Sequence, residues 1–355
     1  MKRRLLRGAA LLLTALIFAT GFGSLAGCSI TEIVTSMQAE GDSTFMFADS
    51  GSMYLWGDSS LCGGESTAGG TVFDYVPGVV DMAFGDGFAL WLTREGIVVS
   101  GNPACLPLTD APESVPPTLL CTLNSTGLDS SFAEHYALVA IDLSEARQVA
   151  AAGQTGLVLL SDGRLIELSG SGLVELTEIG LLTRVSAAPT GERAGVRADG
   201  SVVLWGGSFG APTEYTNAVF TQAESAGEFV LALDEEGDVW RLDGETANHY
   251  DGDYVSLSAG DGFAIAVSRL GELCGWGTGD HGRLGGEDRM NGEILDIGIS
   301  GVIAVSCGRA HAVALRKDGT LWAWGAGGSG QLGAGSADSP VALKLPEKTA
   351  KVDIR

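Results

Sequence analysis

The side chains that most often perform catalysis or bind metals are few in this sequence. The four histidines are His135, His249, His281 and His311. No two of them have the i, i+2 or i, i+4 spacing that places two imidazoles on one metal ion. No Gly-x-Ser-x-Gly motif lies at a strand-to-helix turn, and no phosphate-binding loop with its lysine is present. The sequence therefore predicts no catalytic residue, no cofactor and no metal site.

Acidic residues cluster at two places, Asp234-Glu235-Glu236 and Asp251 with Asp253. Carboxylates in such groups could act as a glycosidase pair or as calcium ligands. Both clusters lie where the tips of β-hairpins are expected. We therefore interpret them as solvated turns.

The chain has six cysteines, and five remain when Cys28 is set aside. An exported protein can keep disulfides, and Cys105 with Cys121 is the favoured pair because together they close a short loop. Cys274 and Cys307 lie in neighbouring repeats and are alternatively buried free thiols. No cysteine has the Cys-x-x-Cys spacing of a zinc or redox site.

The elements that position these side chains are pairs of strands joined by a glycine turn, repeated seven times. Apolar residues stand four before and two after each turn glycine. The turn glycines are Gly51, Gly96, Gly163, Gly200, Gly237, Gly271 and Gly319. Self-similarity of this kind is typical of repeat architectures, and turns such as Asp318-Gly319 between apolar runs predict β-hairpins. The sequence therefore predicts an all-β fold, a seven-bladed β-propeller.

A tryptophan follows several of these turn glycines at a constant offset of five residues. These tryptophans are Trp56, Trp205, Trp276 and Trp324. Evenly spaced aromatic side chains could line a ligand site. A fixed offset from a turn instead favours a core role, so we predict that they pack between adjacent blades.

One segment exceeds what a four-stranded blade needs. Gly96 and Gly163 lie 67 residues apart, and the surplus, about 103–135, holds five of the ten prolines. Proline cannot donate a hydrogen bond to a sheet, so this segment is predicted to be a loop that leaves the ring. Long loops in compact domains are usually functional or disordered. It is our leading candidate for a contact region.

The repeats resemble the RCC1-type repeat, the repeat of the regulator of chromosome condensation. The resemblance is most complete over residues 308–333, from Gly308 and His311 through Trp324-Gly325 to Gly330-Gln331-Leu332-Gly333. Residues 260–285 match more loosely. The resemblance implies a seven-bladed propeller. It is nearest in style to exported bacterial members, which include a β-lactamase inhibitor protein.

The amino terminus has the features of an export signal. Four basic residues precede an apolar stretch, Ala9 to Phe22, which is typical of a signal peptide over residues 1–27. Leu25-Ala26-Gly27-Cys28 is similar to the lipobox of bacterial lipoproteins, which implies a lipid on Cys28. The alternative is plain secretion. We expect residues 28–33 to be a short tether and residues 34–355 to be the propeller.

The chain is strongly acidic. Residues 1–27 contain four basic and no acidic residues, so the remainder has 17 basic and 44 acidic residues and a net charge of −27. Nucleic-acid binding requires clustered lysine and arginine, so we expect no nucleic-acid partner. The acidity serves solubility or, alternatively, attracts a basic partner or cell-wall cations.

The combined features predict a monomeric, lipid-anchored binding scaffold for a protein or glycan, outside a bacterial cytoplasm and not an enzyme. One alternative is an enzyme that acts on cell-wall or other polysaccharide, which would require converging carboxyl groups of raised pKa in the centre of the ring. Another is inhibition of β-lactamases, implied by the resemblance. Lys351–Ile354 resembles the first strand of a further repeat, so we expect the two termini to meet in one blade.

Overall fold

The computed structural model describes residues 34–48, 53–58, 67–73, 79–93, 96–101, 139–141, 145–169, 172–286, 294–333 and 337–344. The predicted signal peptide, Cys28 and the insertion at 103–135 lie outside the described residues. Within the described ranges, the helices are three short 3₁₀ segments at Thr177–Ile179, Gly207–Phe209 and Asp280–Gly282. No helix in these ranges is long and apolar enough to span a membrane.

The described strands form seven antiparallel sheets of four strands each. The first sheet is β1 (Val34–Glu40), β2 (Ser43–Ala48), β3 (Met53–Gly57) and β4 (Thr67–Phe73). The second is β5 (Val79–Gly85), β6 (Phe88–Thr93), β7 (Gly96–Gly101) and β8 (Val139–Ile141). The third is β9 (Ala146–Ala152), β10 (Thr155–Leu160), β11 (Leu165–Ser169) and β12 (Gly172–Glu175). The fourth is β13 (Leu182–Ala187), β14 (Arg193–Arg197), β15 (Val202–Gly206) and β16 (Gly210–Tyr215).

The remaining three sheets follow the same plan. The fifth is β17 (Phe220–Ser225), β18 (Val230–Asp234), β19 (Val239–Leu242) and β20 (Ala247–Tyr250). The sixth is β21 (Tyr254–Ala259), β22 (Phe263–Ser268), β23 (Leu273–Gly277) and β24 (Leu295–Asp296). The seventh is β25 (Val302–Cys307), β26 (His311–Arg316), β27 (Leu321–Gly325) and β28 (Ser339–Lys344). In every sheet the strands lie side by side in sequence order.

The first sheet takes its four described strands from residues 34–73, and the seventh takes its strands from residues 302–344. Lys351–Ile354, which we expect to share a blade with the amino terminus, lies outside the described residues. The meeting of the two termini in one blade therefore stays a prediction.

Two opposite faces follow from this topology. The first strands begin at one edge, beside the hairpin turns that join the second and third strands, and we call this edge the turn face. Its described turns are at 161–164, 198–201, 235–238, 269–272 and 317–320. The first strands end at the other edge, beside the loops that lead to the second strands, and we call this edge the cavity face. These loops are at 41–42, 86–87, 153–154, 188–192, 226–229, 260–262 and 308–310.

At the turn face, the hairpin turn of one sheet contacts the first strand of the next sheet. Gly271 has φ +80°, and its carbonyl accepts a hydrogen bond of 3.0 Å from the amide of Val302. A β-carbon at Gly271 would lie 2.7 Å from the Val302 carbonyl oxygen. The glycine is therefore required both by the backbone conformation and by the close approach of the neighbouring strand.

The hydrophobic core lies between adjacent sheets as well as within them. One buried cluster joins Ala39, Met46 and Trp56 of the first sheet to residues of the seventh, among them Val313 and Leu321. Alternation along a strand places one row of side chains on each face of its sheet. Apolar side chains from facing sheets therefore interlock, and each sheet depends on its neighbours for burial.

Candidate functional site

A cavity of about 660 Å³ lies at the centre of the seven sheets. It is lined by residues of all seven first strands, including Gln38 of β1, Gln148 of β9 and Ser306 of β25. Asp42, Asp86 and other residues of the cavity-face loops also line it. The space thus opens toward the cavity face, and its walls are the strands that every repeat contributes.

Each first strand is tied to the next by a hydrogen bond between a side chain and the backbone. Gln38 donates from Nε2 to the Met82 carbonyl (2.8 Å), and Gln148 and Gln222 do the same to Val185 (2.8 Å) and Leu257 (2.8 Å). Asp81 Oδ2 accepts from the Val149 amide at 3.0 Å. The hydroxyl oxygens of Ser186, Ser258 and Ser306 accept from the amides of Ser225 (3.0 Å), Cys307 (3.0 Å) and Ala39 (2.8 Å). We call these seven side chains the belt.

The belt satisfies backbone groups at the centre of the molecule, where a missing partner would be costly. Its last bond runs from the seventh sheet to the first, because Ser306 lies on β25 and Ala39 on β1. A second bond crosses the same junction, between the His311 imidazole and the Thr44 hydroxyl at 2.9 Å. The junction between these two sheets therefore has the same kind of contacts as the other six.

Three carboxyl groups stand among the belt residues. Burial raises the pKa of Glu40 to about 8 and the pKa of Asp81 to about 6. It also raises the pKa of Glu224. Hydrogen bonds from neighbouring groups oppose these shifts, for example that from Gln38 Nε2 to Glu40 Oε1 at 3.0 Å. Because desolvation penalises the charged form, Glu40 is mostly protonated at neutral pH.

The rim of the cavity carries further carboxylates, at Asp42, Asp58, Asp86 and Asp261. Together with Glu40, Asp81 and Glu224, they give seven acidic side chains among the described lining residues, against one basic side chain, Arg309. Arg309 lies 3.6 Å from Asp42 across the junction of the seventh and first sheets. Because burial disfavours the charged forms of Glu40, Asp81 and Glu224, the negative potential of the cavity comes mainly from the four rim carboxylates.

The sequence-predicted residues lie elsewhere, in the scaffold. Trp56, Trp205, Trp276 and Trp324 are all buried, and the indole of Trp324 donates to the carbonyl of Arg283 at 2.9 Å. Five turn glycines, Gly163, Gly200, Gly237, Gly271 and Gly319, have positive φ at the turn face. Gly96 is the first residue of β7, and Gly51 lies outside the described residues. None of these residues lines the cavity.

Of the described cysteines and histidines, Cys307 lines the cavity and the others lie in scaffold positions. Cys274 and Cys307 are free thiols, while Cys105 and Cys121 lie outside the described residues. His311 is fully buried, and burial lowers its pKa to about 4. His281 contacts Asp338 at 2.7 Å on the surface. His135 lies outside the described residues.

Asp234, Asp238 and His249 bring their ligand atoms within 4.8 Å of one another. Asp234 is buried, and its Oδ1 accepts from the amides of Glu236, Gly237 and Asp238 while its Oδ2 accepts from Trp240. Asp238 accepts from the amide of Gly252 and contacts His249 at 3.0 Å. These three side chains therefore serve to organise a hairpin turn. The expectation of a solvated turn holds for the exposed Glu235 and Glu236 but is wrong for Asp234.

Sequence reasoning missed the carboxyl groups of the cavity, although a signal was available. The tripeptide Gln-Ala-Glu occurs twice, as Gln38-Ala39-Glu40 and as Gln222-Ala223-Glu224. In both copies the glutamine amide donates to the glutamate carboxyl, at 3.0 Å and 2.8 Å. A glutamine and a glutamate repeated near the end of two first strands would have indicated a polar interior.

A comparison with family models identifies one stretch of the chain. Residues 302–331 match the regulator of chromosome condensation (RCC1) repeat. The chain carries an RCC1 repeat. This stretch covers β25, β26 and β27 of the seventh sheet and continues to Gln331. It includes His311 and Trp324. The RCC1 resemblance inferred from the residues is thereby confirmed.

Solved structures share the fold at low sequence identity. Prp20, the yeast RCC1 protein, bound to Kap60, aligns with a TM-score of 0.60 and 14% identity over 94% of this chain and 90% of that one. Prp20p of Saccharomyces cerevisiae, described with its binding to Gsp1p and histones, gives 0.59 and 15% over 88% and 87%. Human WBSCR16 gives 0.59 and 16% over 78% and 84%. The predicted all-β class and β-propeller arrangement are confirmed by these structures.

The comparison with curated proteins found no match to this chain. The comparisons therefore support the propeller architecture alone. The chemistry of the central cavity follows from the residues of this chain.

Proposed function

We propose that this chain is an exported bacterial lipoprotein whose RCC1-like propeller is a scaffold for binding a partner protein at the cavity face. The observation that carries the proposal is the cavity itself, with seven acidic side chains and one arginine among its described lining residues. A surface of this kind attracts and orients a partner with a basic segment. The histones named with Prp20p belong to that protein, and no nuclear role is transferred to this chain.

The proposed architecture is a closed ring of seven blades. Three contacts support closure: the bond from Ala39 to Ser306, the bond between His311 and Thr44, and the apolar cluster shared by the first and seventh sheets. A closed ring holds the cavity face rigid, so little conformational entropy is lost when a partner binds. The ring is expected to be a monomer.

The insertion at 103–135 is proposed as part of the contact region. It connects the end of β7 to the start of β8, and Gly101 at the end of β7 pairs with Phe88 beside the cavity-face loop at 86–87. The insertion therefore departs from the same face as the cavity opening. Loops displayed on a rigid propeller are suited to recognition.

Membrane attachment is proposed to occur through a lipid on Cys28, after removal of residues 1–27. The lipobox-like sequence Leu25-Ala26-Gly27-Cys28 supports it. Replacing Cys28 by alanine should move the protein from the membrane fraction to the soluble extracytoplasmic fraction. Unchanged membrane fractionation of that variant would eliminate lipid anchoring.

Partner binding is tested with the immobilised chain from residue 28 onward and a detergent extract of the cell envelope. We expect capture of a protein at about physiological salt and its release as the salt concentration rises, because exposed charges are screened over about 8 Å at 0.15 M. The variant Asp86→Lys with Asp261→Lys should lose capture. The control Glu235→Lys with Glu236→Lys has the same charge change at the turn face and should keep it.

Two further results would separate the elements of the binding surface. Deleting residues 104–132 should weaken capture if the insertion contributes contacts. Capture that survives both the charge reversal and the deletion would rule out the cavity face as the binding surface. Salt-independent binding to both charge variants would point to a surface recognised through apolar contacts instead.

A second candidate function is favoured by one specific observation. Carboxyl groups of raised pKa converge in the cavity, as an enzyme acting on polysaccharide would require for its general acid. Against it, Glu40 and Asp81 already bond to Gln38 and to the amide of Val149. Release of reducing sugar from cell-wall polysaccharide, abolished by Glu40→Gln or Asp81→Asn, would establish the enzyme. If no reducing sugar is released, the binding scaffold remains the proposed function.

A further inference from the structure

The exposed aliphatic side chains of the propeller are concentrated at the turn face. Among the described residues, nine large apolar side chains are exposed, and six of them lie at this face. The six are Val80, Leu181, Val219, Val255, Leu270 and Ile303, with exposed fractions from 38% to 77%. None of the nine lies in the cavity-face loops. Single exposed aliphatic residues are ordinary, but their collection on one face indicates a surface that meets an apolar environment.

Three of these positions have a common structural cause. Val80, Val255 and Ile303 are the residues at which the pairing register shifts near the start of a first strand. Such a bulge leaves one residue unpaired, and here that residue is exposed at the edge. Leu181 and Val219 directly precede β13 and β17. The surface is thus a product of the repeat.

Two of these side chains come from adjoining sheets. Leu270 is in the hairpin turn of the sixth sheet, and Ile303 is in the first strand of the seventh. The amide of Val302 donates to the carbonyl of Gly271 at 3.0 Å, which brings the two segments together. Leu270 has the largest exposed fraction of the nine, 77%. The apolar surface therefore extends across a junction between sheets.

The position of the chain entry indicates what covers this face. β1 begins at Val34, and the beginning of β1, like that of every first strand, is at the turn face. Cys28 is six residues earlier in the sequence. A chain extends at most about 3.3–3.6 Å per residue, so the α-carbon of Cys28 can be no farther than about 22 Å from that of Val34 at the start of β1. A lipid on Cys28 would hold the turn face within reach of the bilayer.

We propose that the turn face lies against the lipid surface, with its aliphatic side chains entering the headgroup region, and that the cavity face points away from the membrane. The inference rests on the lipid anchor of the proposed function. It adds an orientation and a second set of membrane contacts. The occupant of the turn face is a zwitterionic lipid surface, because a chain with a net charge of −27 after residue 27 is repelled by anionic lipids.

The turn face also carries exposed acidic residues, which keep its contact with lipid shallow: Asp162, Asp199, Glu235, Glu236 and Asp318. Arg147 and Thr183 occupy the register-shift positions of the third and fourth sheets, and both are exposed. The headgroup region is polar and hydrated, and a long arginine side chain can extend its guanidinium to the phosphate level while its methylene groups contact apolar atoms. The face therefore suits shallow contact with an interface.

The test uses the lipidated protein reconstituted into phosphatidylcholine vesicles that contain a phospholipid with a diazirine on its acyl chain. After irradiation, labelled peptides are located by mass spectrometry. We expect at least tenfold more label on the peptides that contain Val255, Leu270 and Ile303 than on the peptide that contains Leu173 and Val174. The two residues of the control peptide lie on β12 and have exposed fractions of 50% and 44%. Equal labelling of the two groups, or labelling of the cavity-face loops, would overturn the proposal.

A matched pair of variants tests whether the aliphatic side chains cause the orientation. Val255→Asn with Leu270→Asn and Ile303→Asn should reduce the turn-face label at least fivefold. The control Leu173→Asn with Val174→Asn should leave it unchanged. Thermal unfolding of both variants shows whether the ring is intact. Equal turn-face labelling in the triple variant would show that the tether alone sets the orientation and would overturn the role of the side chains.

The failure of lipidation and the failure of this inference give different results. If Cys28 carries no lipid, the wild-type protein does not float with the vesicles. A hexahistidine tag placed before Ser29 then tethers the chain to nickel-chelating lipid, and the same labelling contrast is expected. A dimer in sedimentation velocity that the triple variant dissociates would identify a second copy as the occupant and would overturn docking on lipid.

Discussion

At the turn face, neighbouring sheets are joined by backbone hydrogen bonds such as that from Val302 to Gly271, with glycine at the closest approach. In the central cavity, other first strands contribute carboxyl groups such as Glu40 of β1 and Asp81 of β5, whose charged forms are disfavoured by burial. The first arrangement contributes stability and the second reduces it. Residues that reduce stability are retained where function requires them. The comparison indicates that backbone contacts of the repeat stabilise the turn face, whereas individual side chains determine the chemistry of the cavity.

The largest expected effect is at the turn face. Gly271→Ala should lower the free energy of unfolding by about 2–4 kcal/mol, because it combines an unfavourable positive φ with overpacking against the next strand. The β-carbon would lie 2.7 Å from the carbonyl oxygen and 2.8 Å from the amide nitrogen of Val302. Urea unfolding measures the change.

Gly298→Ala is the control for this prediction. Gly298 has φ +73° but no atom within 4 Å of an added β-carbon. Its substitution should cost about 1–2 kcal/mol, the cost of the backbone conformation alone. Equal costs for the two variants would show that the approach of the neighbouring strand does not stabilise the turn face.

The second largest effect is a loss of stability in acid that His311 causes at the junction between the seventh and first sheets. Burial lowers the pKa of His311 to about 4 from an ordinary value of 6.5. Between these values the unfolded chain binds a proton that the folded chain does not, so stability falls as the pH decreases from about 6.5 to 4. We expect His311→Gln to reduce this loss by about 2–3 kcal/mol, at about 1.4 kcal/mol per pH unit. Parallel acid profiles for wild type and variant would contradict the prediction.

The belt provides a third test, which also examines ring closure. Ser306→Ala leaves the buried amide of Ala39 without its hydroxyl partner and should cost about 1–3 kcal/mol. Ser258→Ala does the same to the amide of Cys307 at the junction between the sixth and seventh sheets. In a closed ring the two variants should lose similar stability in urea unfolding. A negligible cost for Ser306→Ala alone would indicate that the first and last sheets are not joined.

The smallest expected effect has the opposite sign and lies in the cavity. Burial raises the folded-state pKa of Glu40 to about 8, so the folded chain keeps a proton that the unfolded chain has released. Stability therefore falls as the pH rises from about 4.5 through 8. Glu40→Gln should be more stable than wild type by about 1–2 kcal/mol above pH 8, less than the full linkage energy of about 1.4 kcal/mol per pH unit, because the Glu40 side chain is partly exposed.

Glu228→Gln is the matched control, because Glu228 is an exposed glutamate in the cavity-face loop at 226–229. It should leave the pH profile of stability unchanged. A loss of stability in Glu40→Gln at high pH would mean that the charged carboxylate supports the fold. The contrast between the two faces would then fail.

Much of the scaffold was predictable because it depends on residues close together in sequence. The turn at Asp318-Gly319 requires only that Gly319 adopt a positive φ and that Asp318 accept from the amide of Thr320 at 3.0 Å. The alternation of apolar residues in β26 and β27 similarly indicates strands with a buried face. The glycine turns and strands could thus be located without knowing their neighbours.

The cavity was not predictable in the same way. The hydroxyl of Ser306 and the amide of Ala39 meet across 267 residues of sequence, as do His311 and Thr44. Glu40, Asp81 and Glu224 come from three different sheets, and no local pattern states that they will face one space. Their protonation depends on burial that only the assembled sheets create.

The sequence by itself determined the strands, the glycine turns and the buried positions of the tryptophans, because hairpin geometry and the alternation of apolar side chains are local properties. Tertiary structure decided which sheets are neighbours, which hydroxyl satisfies which amide, and that seven acidic side chains surround one cavity. The physical reason is that burial and electrostatic interaction depend on distance in space. That distance is set only when all the sheets have packed together.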